Sequence, residues 1–293
     1  MIMTPNMTPK EITADIEKAK AEEALKTYDG PGRVITSWEK LDQLQAEKKF
    51  TPTVAFKTKI PGLDEHIRDC RGGQLVILSG DEGEGKTLLA RTLTNNFAEQ
   101  EARCLWFSYE ERPDEFLAKF GETIPLFLLP AELEMSKLTW IAERIKEAKL
   151  KYKTVDVVFI DHLHYLTDEV ESGNLSNDLG RICRKLKLLA VNENLIIVLV
   201  VHTNRNEASD EPTIRSLRDS GMIGKEADTV IFIWRLDDND AMLKVAKCRA
   251  TGTKNKKVSV SKIGSYLREK AKEPEARQMH AEKLEARKQG HHD

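Results

Sequence analysis

The sequence predicts an α/β fold, a mostly parallel, twisted sheet with helices on both faces, and three observations predict it. From Lys57 onward, short apolar runs alternate with helical stretches. One run, Leu75-Val76-Ile77-Leu78, leads through Gly80-Asp81-Glu82-Gly83-Glu84-Gly85-Lys86-Thr87 into a helix-like stretch from Leu88. Another, Val157-Val158-Phe159-Ile160, ends in a carboxylate, Asp161. With 293 residues, 40% of them hydrophobic, the chain suits one large domain with extensions better than two full domains.

Taken in order, Thr8-Pro9-Lys10-Glu11 reads as a capping box with proline at the first helical position, and an Ala, Glu and Lys-rich run continues the helix to Thr27. Its apolar stripe is thin (Ile12, Ile16, Ala19), so region 1–50 reads either as a solvated leader or as an arm packing on a neighbouring subunit. Asp29-Gly30-Pro31-Gly32 breaks it, and Ser37 is the expected cap of a second short helix carrying Trp38, Leu41 and Leu44. Strands are expected at 74–79, 103–108, 156–161, 195–201, 229–235 and 242–249, with helices at about 86–99, 140–149 and 177–192. The core domain spans 51–264. From 265 to 293 the sequence turns to Glu, Lys, Arg and Ala with almost no large apolar residues, a charged tail expected to be disordered or helical, and His291 and His292 belong to it.

Composition bounds the partners. The 46 basic and 48 acidic side chains leave a net charge of -2, so any nucleic-acid site must be a local patch. Cys70, Cys104, Cys183 and Cys248 lie far apart with no CxxC pair, which points away from zinc and disulfides and towards a reducing cytosol. The apolar run 195–201 is far too short for a bilayer span, and the amino terminus lacks a signal pattern, so a cytoplasmic protein with no membrane partner is expected.

The order strand, glycine-rich turn, helix is that of a P-loop. Glycines let backbone N–H groups of Gly80 through Leu88 converge on phosphate oxygens, Lys86 reaches the outer phosphates and Thr87 can ligate magnesium. A nucleoside triphosphate is the implied ligand. Asp161, at the end of a buried strand, is the expected magnesium-organising carboxylate. Trp106-Phe107-Ser108-Tyr109-Glu110-Glu111 puts two carboxylates at another strand exit, and Glu110 is the chosen base for the attacking water.

Together these segments resemble the RecA-type motor domain of hexameric replicative helicases: bacterial DnaB, mitochondrial Twinkle and phage primase-helicases. The resemblance covers roughly 56–260, beginning at Arg71-Gly72-Gly73-Gln74 and including Asp161-His162, similar to the phage form of the second motif. Val200-Val201-His202-Thr203-Asn204-Arg205 is similar to the family's phosphate-sensor strand, with His202 as sensor. Ser216-Leu217-Arg218-Asp219-Ser220-Gly221 resembles the loop that grips single-stranded DNA, which implies DNA contacts from Arg218, Asp219, Gly221 and Arg205. Lys247-Cys248-Arg249-Ala250-Thr251-Gly252 resembles the Lys-x-Arg motif inserted into the neighbouring subunit's nucleotide site, which makes Lys247 a nucleotide contact and Arg249 an arginine finger.

The resemblance implies an ATP- or other NTP-dependent, magnesium-requiring DNA helicase that forms a homo-oligomer, a hexamer, on single-stranded DNA and unwinds duplex from 5′ to 3′ in a bacterial or phage-infected cytosol. Two departures stand out. Asp81, Glu82 and Glu84 are acidic for a phosphate cradle, and His164 stands where bacterial members often have glutamine. No primase module is expected before Lys57, so priming or loading falls to a separate protein. Lys59-Ile60-Pro61-Gly62-Leu63-Asp64 is also similar to RecA or RadA recombinases and KaiC-like ATPases, and a nucleotide-binding adaptor that does not unwind is the third reading.

Overall fold

The computed structural model describes residues 9–29, 33–46, 54–133, 137–163, 166, 175–203, 211–217 and 222–270. The chain divides into two compact units, Met1–Pro52 and Thr53–Asp293. The first holds α1 (Pro9–Lys26) and α2 (Ser37–Ala46). Thr36, not Ser37, caps α2: its hydroxyl accepts the Glu39 N–H at 3.1 Å, and Glu39 Oε2 accepts the Thr36 N–H at 2.7 Å. The spacing decides this, because a glutamate lies three residues beyond Thr36 whereas a lysine lies three beyond Ser37.

In the second unit, β1 (Ala55–Phe56) and β2 (Cys70–Arg71) form a small antiparallel ribbon flanking α3 (Pro61–Ile67). The main sheet contains β3 (Leu75–Gly80), β4 (Cys104–Ser108), β5 (Val157–Asp161), β6 (Ile196–His202), β7 (Thr229–Arg235), β8 (Asp240–Cys248), β9 (Lys256–Ile263) and β10 (Tyr266–Glu269). Its order is β10-β9-β8-β7-β3-β6-β5-β4. The strands from β7 to β4 in that order run parallel, and β8, β9 and β10 extend the sheet antiparallel. This is the mostly parallel α/β sheet that the sequence predicts.

Alternate residues of each strand feed two cores. Val76, Leu78, Phe159 and Val198 pack with Leu93 and Phe97 of α4 (Lys86–Ala98). Leu75, Ile77, Val158, Ile160 and Leu199 pack with Ile141 of α6 (Leu138–Tyr152) and Ile182 and Leu186 of α7 (Leu175–Glu193). Burial on both faces is why these strands read as unbroken apolar runs. Each fully buried Leu, Ile or Val contributes about 2 kcal/mol, and a one-residue slip would exchange every contact on both faces, so the register is firmly set. Two short helices complete the unit, α5 (Pro113–Ala118) and α8 (Ile223–Glu226). No described helix is long and apolar enough to cross a membrane.

The expected boundary at 264 needs correction. Residues 266–269, placed in the disordered or helical tail, form β10 in register with β9. Leu267 is buried, and its N–H donates to Thr92 Oγ1 at 2.9 Å. A four-residue edge strand with one buried leucine carries too little periodicity to stand out from charged sequence; its pairing is decided by the hairpin and by α4. Residues 271–293, with His291 and His292, lie outside the described residues.

Candidate functional site

The chain leaves β3 at the centre of the sheet, runs through α4 to β4 at the edge, returns by β5 and β6, then crosses β3 to β7. Connections therefore diverge at the carboxyl end of β3, where open α/β sheets leave a crevice. A cavity of about 330 Å³ lies there, lined by Gly83, Gly85, Lys86, Thr87, Glu110 and His202 among others.

The glycine-rich turn has the backbone this position requires. Gly85, the residue before α4, has φ +99°, a conformation open to glycine and strained for other residues. A Cβ on Gly80 would lie 2.3 Å from the Ile233 carbonyl oxygen of β7, so only glycine lets β3 pass so close. Two of the acidic residues are held by neighbouring strand ends: Thr203 Oγ1 donates to Asp81 Oδ1, and the Arg235 N–H donates to Glu84 Oε2. Both carboxylates thus tie the turn to the ends of β6 and β7, and Glu82 stands exposed.

Lys86 is buried, and its ammonium donates to the Asp81 carbonyl at 2.8 Å. Burial holds its pKa below the usual lysine value, opposed by Glu110, Asp161, Asp81 and Glu82. Thr87 Oγ1 donates to Asp161 Oδ2 at 2.9 Å. Burial pushes the Asp161 carboxyl up to about 7, against the Thr87 hydrogen bond and with help from Glu110. Asp161 Oδ1 is buried without a hydrogen-bond partner. A hydroxyl beside a carboxylate with an unused oxygen is a hard-oxygen donor set, which fits magnesium.

Glu110 lies two residues past the end of β4, and His202 ends β6. Between them stands His162, one residue past β5, which sequence reasoning noticed but gave no role. The ligand atoms of Glu110, His162 and His202 lie within 4.8 Å of one another, the one such cluster among the described residues. Sequence reasoning weighed Glu111 and passed it over for Glu110, and it gave no role to Thr203, Arg91, Lys119 or Glu111. The last three line the cavity's inner wall, where Lys119 Nζ donates to Glu111 Oε1 at 2.5 Å. Their only signal was position, one helical turn beyond the P-loop or just past Glu110.

Lys247 and Arg249 do not join this cluster. β8 runs antiparallel to β7, so Cys248 pairs with Thr229 at the end of the sheet opposite the P-loop. There the Lys247 ammonium donates to the Gly224 and Ala227 carbonyls at 2.7 and 2.6 Å, closing the end of α8. Burial holds its pKa below the usual lysine value. Arg249 pairs with Asp228 at 3.2 Å and donates to the Lys225 carbonyl, with its side chain half exposed. Asp228 also accepts from Lys187 at 2.6 Å and from the Leu75 N–H at 2.8 Å. His164, Arg205, Arg218, Asp219 and Gly221 lie outside the described residues. A bridge pairs Thr203 with Leu217, the described residues nearest to Arg205 and to Arg218.

Comparison with known proteins agrees with this fold. Residues 118–268 match the model of the DnaB-like helicase C-terminal domain, and residues 56–123 match the KaiC ATPase model. The chain is 28% identical over 240 residues to a probable plasmid replicative DNA helicase of Chlamydia trachomatis, covering 70% of this chain and 51% of that one. It is 23% identical over 274 residues to the replicative DNA helicase DnaB of Pasteurella multocida, covering 79% and 59%. The chain thus spans about half the length of the relatives it matches. Among solved structures, an isolated ATPase domain has a TM-score of 0.67 at 16% identity, covering 80% of this chain and 99% of its own. A DnaB-like replicative helicase, described with its interactions with primase, has a TM-score of 0.65 at 16% identity, covering 89% and 71%. The fold is the RecA-like ATPase fold of these neighbours.

Proposed function

The chain belongs to the DnaB-like helicase C-terminal domain family, and from that premise we propose that it is a magnesium-dependent nucleoside triphosphatase that works as a ring of six copies, moves along single-stranded DNA from 5′ to 3′ and separates duplex. In this reading the triphosphate lies along Gly80 to Leu88 with Lys86 on its outer phosphates. Glu110 orients the attacking water, and His202 senses the terminal phosphate. Thr87 and Asp161 hold magnesium, which when bound neutralises charge on the phosphate oxygens.

The observation that carries the reading is the division of the cationic groups between two ends of one sheet. Lys86 faces the cavity, while Arg249 sits half exposed at the opposite end, out of reach of its own nucleotide. A finger that cannot serve its own site can serve the next copy's, so triphosphate cleavage belongs to a seam between copies. Lys247 joins Arg249 there once it leaves the carbonyls of α8. Arg205 and Arg218, Asp219 and Gly221 would meet DNA on segments that start beside the Thr203 and Leu217 bridge, one residue from the sensor. Loss of the terminal phosphate can then be passed to DNA. The arm in 1–50 would pack on a neighbouring subunit, and priming and loading would fall to separate proteins.

A second reading, a KaiC-like or recombinase ATPase, is favoured by the family match at 56–123. Phosphate release with and without single-stranded DNA, run beside Glu110→Gln, tests the first. DNA-stimulated turnover lost in the variant, with rings in electron micrographs, is the expected result. Filaments with strand exchange would favour the second reading, and brisk cleavage by a lone subunit would overturn the ring.

A further inference from the structure

We propose that His162 is a positioning residue that holds the base Glu110 and the sensor His202 as one set, so that water and terminal phosphate are addressed by a single preorganised unit. The inference rests on the reading of this site as a triphosphatase and adds a residue to it.

Three neighbouring strand ends produce the arrangement. Ser108 of β4 is in register with Asp161 of β5, and Asp161 with Val200 of β6. Glu110, His162 and His202 therefore emerge side by side, with His162 in the middle. The Tyr109 N–H donates to the Asp161 carbonyl at 3.0 Å, which ties the turn after β4 to the turn after β5. His162 Nδ1 lies 3.1 Å from His202 Nε2, with the rings 4.6 Å apart, and 3.8 Å from Glu110 Oε2. The first distance is a hydrogen bond. The second is one that a half-exposed glutamate has room to close, as catalytic contacts do when substrate arrives.

The backbone gives the independent argument. His162 has φ +106°, a conformation that side chains other than glycine rarely adopt. Such strain persists where the surroundings impose it, and it gathers at functional sites. A residue needed here for packing alone would be better supplied as glycine or asparagine. What the strained turn provides is an imidazole nitrogen facing both neighbours. His162 Nδ1 faces both neighbours, so with the ring proton on it the imidazole donates to His202 Nε2 and, as Glu110 closes in, shares that proton with a Glu110 oxygen, leaving the rest of each side chain for water and phosphate.

The test uses the full chain and two substitutions. His162→Gly removes the ring and relieves the backbone, so thermal stability should hold or rise while kcat falls about ten- to a hundred-fold with KM little changed. His162→Asn tolerates positive φ and places an amide near the Nδ1 position, so it should recover most of that loss. Nitrogen NMR of the His202 ring, which needs no turnover, should show its hydrogen-bonded state changing in His162→Gly. Wild-type kcat in the glycine variant overturns the inference, as does an asparagine variant no better than glycine, or His202 signals indifferent to His162. A wild-type chain without triphosphatase activity instead overturns the reading of the site itself, and the two failures are told apart by the wild-type assay.

Discussion

The two ends of the parallel sheet hold similar side chains in opposite states of satisfaction. At the carboxyl end, Asp161 keeps a buried oxygen unpartnered, and Lys86 rests on a backbone carbonyl inside a cavity. At the amino end, Asp228 is also buried, yet it is shared by Lys187, Arg249 and the Leu75 N–H. Both ends bury an aspartate. The difference shows where the fold spends its polar groups on itself and where it holds them for something else. A buried polar atom left open costs roughly 1–3 kcal/mol, a cost that a ligand bridging Asp161 and Thr87 would remove.

The comparison can be broken most severely at the open end. Asp161→Asn should abolish triphosphate turnover while the chain stays folded, because the asparagine amide cannot replace a carboxylate towards a hard cation; phosphate release and circular dichroism measured together check this. Next in size is Arg249→Ala. On the proposed reading it leaves nucleotide binding nearly intact and lowers DNA-stimulated turnover about a thousand-fold; a titration of fluorescent nucleotide beside an assay of turnover against protein concentration checks both halves.

The satisfied end should answer with stability instead. Asp228→Ala strands Lys187, Arg249 and the Leu75 amide, and a loss of about 2 kcal/mol is expected in urea unfolding, less than for a fully buried pair because Arg249 is half exposed. The smallest effect sharpens the contrast through pH. The native Asp161 carboxyl titrates at about 7 rather than 3.8, so without nucleotide or metal the native state holds the proton more tightly than the unfolded chain. Its contribution is fully present below 3.8 and is lost as pH rises through about 7. Wild-type stability should therefore fall relative to Asp161→Asn across that window, measured as the difference in urea midpoints, and magnesium with nucleotide should bind more tightly as pH rises through it.

Much of this was legible in the chain. Gly80 to Thr87 lie consecutively, and a strand ending at Asp161 advertises itself by four apolar residues before a carboxylate, so both could be read without knowing what lies opposite them. The capping of α2 slipped by one residue because Thr36 and Ser37 are chemically equivalent until Glu39 chooses between them. The hairpin ending in β10 escaped notice because one buried leucine among charges has no period.

Local order along the chain by itself determined the strand, glycine turn and helix, the buried carboxylate and the alternation that makes a two-faced sheet, because those features arise from residues within a few positions of one another. Only the tertiary structure decided that Glu110, His162 and His202 stand in one row, that Asp81 and Glu84 are held by Thr203 and Arg235, and that Arg249 lies at the end of the sheet opposite the P-loop. The physical reason is strand order: the return through β5 and β6 and the crossing of β3 to reach β7 bring together residues such as Glu84 and Arg235, which stand 151 positions apart. Nothing in the spacing of either segment encodes that meeting.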